Sequence, residues 1–225
     1  MATQPILNNI CQKVKLTYEE LLRTWLKPSN FRTIDMNLKG NLREPALESF
    51  LNKKGFFTTP PTGAYPKYDL MCKNIKIQIK GTSKSKTNPV NNTLGVEVMG
   101  THGNGAIRRY SVNDFDYLGI VIEPSCLNDH LPLSKDTYHF CLVPVHDLPL
   151  HYRNGYEWDT TDKLYDVALF DVIEKDNKVY LKPNNSYRNP PRWVSSDNEI
   201  IIRPPVHFNN DNIYPIDEIP FKPDN

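Results

Sequence analysis

Residues 68–83 read YDLMCKNIKIQIKGTS. The segment divides into a short strand carrying Asp69, a tight turn at Lys73-Asn74, and a second strand carrying Gln78 and Lys80. A two-residue hairpin loop at Lys73-Asn74 sets Cys72 opposite Ile75, Met71 opposite Lys76, Leu70 opposite Ile77 and Asp69 opposite Gln78. Directly opposed residues of an antiparallel pair hold their Cβ atoms roughly 4.5–5.5 Å apart. Side chains alternate between faces, so Lys80 shares a face with Gln78. An acidic oxygen, an amide oxygen and an ammonium group therefore converge on one small patch, which is a metal-and-water site in outline.

An Asp followed, on the neighbouring strand, by an acid, any residue and a Lys is the signature of the PD-(D/E)XK nucleases, which include many type II restriction endonucleases. The chain resembles that family through Asp69 and Gln78-Ile79-Lys80, with Gln at the second acidic position, as in some members, and Tyr68 where Pro often stands. The family's core opens with a Glu-bearing helix that ends near a Gly-aromatic pair; the stretch REPALESFLNKKGFF is similar, with Glu44 at its start and Gly55-Phe56 at its end. A third similarity is YSVNDFDYLGIVI, residues 110–122, which resembles the core strand following the active-site hairpin. The resemblance runs from about Leu42 to Val145. It implies an α/β fold: a restriction-endonuclease-like core with a mixed central β-sheet flanked by helices, here followed by a β-rich C-terminal extension.

The same resemblance implies chemistry. Asp69, Gln78 and the carbonyl of Ile79 would hold Mg²⁺, an ion that takes hard oxygen ligands and keeps several waters. Glu44 would join through a metal-bound water or a second ion, and Lys80 would orient the attacking water and offset developing negative charge. The neutral amide of Gln78 gives up one negative charge, which lowers the expected metal affinity.

Charge is distributed unevenly. Residues 1–112 carry 17 Lys and Arg against 7 Asp and Glu, whereas residues 113–225 carry 10 against 19. A basic half suits a phosphate-facing surface, because neutralised phosphates release counterions and supply affinity. Its densest run, Lys73, Lys76, Lys80, Lys84 and Lys86, is centred on the hairpin. His102 and Asn104 in the loop GTHGNGA, with Arg108 and Arg109 after it, are candidates for groove or phosphate contacts, as are Arg188 and Arg192 in YRNPPRW. The glycine spacing of GTHGNG does not match a dinucleotide fingerprint. His139, His146 and His151 match no metal-binding spacing, and Asp114 and Asp116 suit a turn and a strand start.

The remaining pattern gives an amphipathic helix at Leu16–Trp25, a strand or short helix at Leu94–Met99, and strands at Tyr117–Ile122, Tyr138–Val143, Val167–Ile173, Lys178–Leu181 and Glu199–Ile202. Residues 1–150 are expected to form the nuclease core with its N-terminal helix, and 151–225 an extension for DNA recognition or dimerisation, packed on the core as one domain. Four cysteines without a C-x-x-C pair argue for reduced thiols in a cytoplasmic protein, as does the lack of a leader-like N-terminus. The expected function is Mg²⁺-dependent, sequence-specific cleavage of double-stranded DNA by a homodimer, two-fold like its palindromic target. A repair or junction nuclease, a DNA-binding protein that has lost catalysis, and a β-rich interaction module remain alternatives.

Overall fold

The computed structural model describes residues 43–62, 66–83, 87–88, 92–101, 107–127, 129, 131–150, 152–153, 157–158, 163–187, 192–194, 200–202, 209 and 211–222. Residues Met1–Leu42 and Arg43–Asn225 are separate units; the second is described here, and the helix expected at Leu16–Trp25 lies outside the described residues.

A helix covers residues 43–53. Pro45 falls in its first turn, where a missing N–H costs nothing, and Leu47 and Leu51, one turn apart, are fully buried. Gly55 ends it at φ 85°. The Gly55 N–H donates to the Asn52 carbonyl and the Phe56 N–H to that of Leu51, both at 3.0 Å, which closes a Schellman turn.

The described residues then form fifteen short strands. These are β1 (Thr58–Thr59), β2 (Leu70–Cys72), β3 (Ile75–Gly81), β4 (Thr93–Glu97), β5 (Gly100–Thr101), β6 (Ile107–Arg108), β7 (Tyr117–Ile122) and β8 (His139–Pro144). After them come β9 (Tyr152–Arg153), β10 (Glu157–Trp158), β11 (Val167–Lys175), β12 (Lys178–Pro183), β13 (Arg192–Val194), β14 (Ile200–Ile202) and β15 (Tyr214–Pro215). Five strands make a mixed sheet in the order β1-β2-β3-β7-β8, and four make an antiparallel sheet in the order β15-β12-β11-β4. The pairs β5–β6, β9–β10 and β13–β14 are two-stranded ribbons. The fold is therefore α/β at its core with β-rich regions around it, as the sequence implied.

Strands β3 and β7 run parallel, with Gln78 beside Leu118 and Lys80 beside Ile120. Strict alternation sorts the first sheet into two apolar faces. Ile77, Ile79, Val121 and Leu142 pack with Leu47 and Leu51 of the helix. Leu118, Ile120, Ile122 and Val143 pack with Leu94, Val96, Phe170 and Leu181 of the second sheet. Residues 93–97 are strand rather than short helix, because β4 pairs along its length with β11. That pairing carries the second sheet across residue 150. The C-terminal segment is fastened to β8 by Asp217, whose carboxylate accepts from the Phe140 N–H at 2.8 Å and lies 2.7 Å from His139 Nδ1. His139 is thus a buried strand residue, its Nε2 2.9 Å from the Ser134 carbonyl oxygen.

The helix approaches the sheet at Gly119, where a Cβ would stand 2.6 Å from Leu47 Cδ2 and 3.0 Å from Ile77 Cγ2. Gly119→Val should therefore lose about 1–3 kcal/mol to overpacking. Urea unfolding should register a lower midpoint with little change in slope.

Candidate active site

The β2–β3 hairpin has the register expected from a two-residue turn: Leu70 opposite Ile77, Met71 opposite Lys76 and Cys72 opposite Ile75. Lys73 supplies the positive φ of the turn, at 57°. Asp69 stands just before β2. Its backbone N–H donates to the Ile77 carbonyl at 2.9 Å. Its carboxylate Oδ2 accepts from the Ile79 N–H at 2.7 Å and from Gln78 Nε2 at 2.5 Å. The Asp69 side chain thus continues the ladder where β2's backbone has ended, and it holds Gln78 against itself. Gln78 is buried at 3 % exposure, a cost that a polar side chain meets only with such a partner.

Helix 43–53 brings Glu44 to this hairpin. Glu44 is an exposed residue; the desolvation its carboxyl does meet pushes it above its ordinary value, the neighbouring Asp69 carboxylate pushes it further, and the Lys80 ammonium pulls it back. The charges of Asp69 and Lys80 therefore both reach Glu44. Lys80 also lies over the ring of Tyr110, its Nζ 5.5 Å from the centroid, an arrangement that favours the charged ammonium.

The Glu44 shift fixes a sign. For a carboxyl raised in the folded state, stability is greatest below the unfolded value and is lost as pH rises through the folded value. Glu44→Gln should raise the melting temperature at neutral pH, and the gain should vanish as pH falls into the carboxylate range. Paired melts at pH 4 and pH 7.5 check it.

Three residues that complete the site, Arg43, Gly81 and Glu123, were not picked out from the sequence. Arg43 donates through Nε at 2.8 Å, and again through a terminal nitrogen, to Glu123 Oε1. The guanidinium lies against Gly81 at the end of β3, where a Cβ would come within 2.0 Å of Arg43 Nε. A glycine closing a strand is the one available signal, since it often marks a close approach by another group.

The expected DNA contacts fare differently. Arg109 forms a two-pronged ion pair with Asp166, at 2.9 and 3.1 Å, so its guanidinium is engaged within the protein. Lys84, Lys86, His102, Asn104 and Arg188 lie outside the described residues, as do the side chains of Arg108 and Arg192. Asp114 accepts from the Ser111 N–H at 3.0 Å in a turn, and Asp116 from the Lys76 N–H at 2.7 Å just before β7, both structural roles. Tyr187 donates to the Val167 carbonyl at 3.1 Å.

Among the described residues no group of three or more His, Cys, Asp or Glu could hold a metal ion. The oxygen donors the hairpin and helix offer are the Asp69 and Glu44 carboxylates and the Ile79 main-chain carbonyl, all hard, while the Gln78 amide meets Asp69 through its nitrogen. That set fits a cation which retains most of its water and not one that needs a full protein cage. Cys72, Cys126 and Cys141 are all buried. Among the described residues no helix is long and apolar enough to cross a membrane.

No protein-family model matches the chain, and no curated protein does. Among solved structures, the bacterial homing endonuclease I-Ssp6803I aligns over 48% of this chain and 68% of its own, at 23% identity and a TM-score of 0.35. A superposition that loose carries no argument about function.

Proposed function

We propose that the chain is a metal-dependent phosphodiester hydrolase of the PD-(D/E)XK type that cleaves double-stranded DNA at specific sequences, in the manner of a type II restriction enzyme. The observation that carries this reading is the β2–β3 hairpin, which sets the Asp69 carboxylate on the Ile79 N–H and on Gln78, with Lys80 on the same face of β3 as Gln78 and Glu44 within electrostatic reach. Such clusters are where enzymes place proton-handling and charge-handling groups. The basic N-terminal half, 17 Lys and Arg against 7 acids, adds the field a phosphate backbone needs.

In this reading Asp69, Glu44, the Ile79 carbonyl and the Gln78 amide hold Mg²⁺. The ion supplies Lewis acidity toward the scissile phosphate. Lys80 offers its ammonium to the charge that builds on the phosphate oxygens and orients the attacking water. A two-fold dimer would present two such sites to the two strands of a palindrome.

One observation favours a second reading. Gln78 places a neutral amide where the resemblance calls for an acid, as a protein that kept the fold and DNA binding but lost metal chemistry would. Incubation with unmethylated phage DNA in Mg²⁺, with and without EDTA, decides between them. Discrete bands that EDTA abolishes support the restriction reading, and a smear supports a nuclease without sequence preference. Intact duplex with salt-sensitive binding supports the second reading.

A further inference from the structure

At its first turn helix 43–53 makes a contact that its apolar face does not explain. Leu47 and Leu51 bury the helix body, with Ala46 packed against the same cluster. Arg43 adds a directional tie. Its side chain is 26% exposed, crosses the bare backbone of Gly81, and ends on Glu123, whose side chain is 9% exposed. Glu123 is itself fixed, because its N–H donates to Thr82 Oγ1 at 3.1 Å. Gly81 and Thr82 directly follow Lys80, and Glu123 directly follows β7. One ion pair thus ties the first turn of the helix to the ends of two adjacent parallel strands, right beside Glu44.

We propose that Arg43, clamped by Glu123 over Gly81, is a positioning residue that holds the first turn of the helix, and with it the Glu44 carboxylate, beside the hairpin that carries Asp69 and Lys80. The inference rests on the proposed nuclease site, since positioning matters there only if Glu44 takes part in chemistry. It also explains why residue 81 is glycine, because any side chain at that position occupies the guanidinium's seat. Arg43 itself never touches substrate.

The test reads the Glu44 carboxyl directly, in metal-free protein at fixed neutral pH. In wild type the ¹³C signal of that carboxyl should move when Asp69 becomes Asn. In Arg43→Ala and in Gly81→Ala the same substitution should move it less than half as far, whereas Arg43→Lys should keep most of the response. Glu123→Gln, which alters the clamp from its other end, should behave like Arg43→Ala and keeps the test alive if that variant does not fold. A response in Arg43→Ala and Gly81→Ala as large as in wild type overturns the proposal, as does no response in wild type.

DNA cleavage supplies the second arm. Arg43→Ala should lower single-turnover cleavage about 10- to 100-fold, the range seen when the partners of metal ligands are removed, and nothing further in a Glu44→Ala background. Additive losses overturn the positioning role. The two failures stay separate. A wild type that cleaves nothing while the carboxyl response collapses as expected removes the nuclease reading and leaves the clamp. A wild type that cleaves while the response persists in Arg43→Ala does the reverse.

Discussion

Lys80→Ala is expected to lower Mg²⁺-dependent cleavage about 100- to 1,000-fold, the loss typical when one pre-aimed donor to a developing oxyanion is removed. Lys80 is half-buried, lies 5.5 Å above the Tyr110 ring centroid and acts electrostatically on Glu44. The proposed chemistry needs a fixed positive charge at that point. Lys76 is the matched control. It sits on the same strand and the same face, and its Nζ is 5.9 Å from the centroid of the Tyr68 ring, but it is exposed and lies toward the hairpin turn. Lys76→Ala should change cleavage by no more than a few-fold. Folding should survive in both variants, because each loses a cation–π contact worth about 0.5–1 kcal/mol at an exposed or half-exposed place. Single-turnover rates measured beside thermal melts separate the outcomes. Equal losses in the two variants would mean that Lys80 serves only the general field of the basic half.

Glu44 carries the complementary expectation. Its carboxyl is held near Asp69 at a cost, so Glu44→Gln should stabilise the neutral protein while impairing cleavage. A substitution that raises stability and lowers activity together is the mark of a group kept in an unfavourable place for function. A merely structural glutamate would lose both.

The hairpin could be read from the sequence because its information is local. Turn position and the two-residue period together fix which side chains meet, and the pairs Leu70–Ile77, Met71–Lys76 and Cys72–Ile75 follow. The apolar run Tyr117–Ile122 and the helix ended by Gly55 are local in the same sense. Local pattern gave out at three places. Asp69 is not a regular ladder residue but uses its carboxylate as a substitute for β2 backbone, which a register argument does not foresee. Arg43 and Glu123 are separated by 80 positions and Arg109 and Asp166 by 57, and neither partner advertises the other. The pairing of β4 with β11 spans a similar interval, so residues 94–99 carried enough apolar character for a strand without a partner to decide the matter. Helix and strand periodicity specify which face of an element is buried; they do not specify which distant element buries it.

Gln78→Glu puts an acid at the proposed second ligand position and should make the protein's stability depend on Mg²⁺. Gln78 is almost wholly buried and donates to Asp69 Oδ2. A carboxylate there replaces a donor with a like charge, so metal-free Gln78→Glu should lose about 1–3 kcal/mol or more. The paired carboxyls would keep a proton more readily than an isolated one. The loss should therefore be small in acid and grow as pH rises. A divalent cation reverses the argument, since two facing carboxylates, the Ile79 carbonyl and Glu44 then surround a positive charge. At a free Mg²⁺ concentration about 100 times the dissociation constant, binding returns about 2.7 kcal/mol. Thermal melts of Gln78→Glu at pH 7.5 should climb steeply with Mg²⁺, while the wild-type melts climb less. Cleavage should appear at lower Mg²⁺ in the variant. A variant that is destabilised and gains nothing from Mg²⁺ would place the Gln78 amide, turned nitrogen-first toward Asp69, in a purely structural hydrogen bond, and the DNA-binding reading without catalysis would then stand in place of the nuclease.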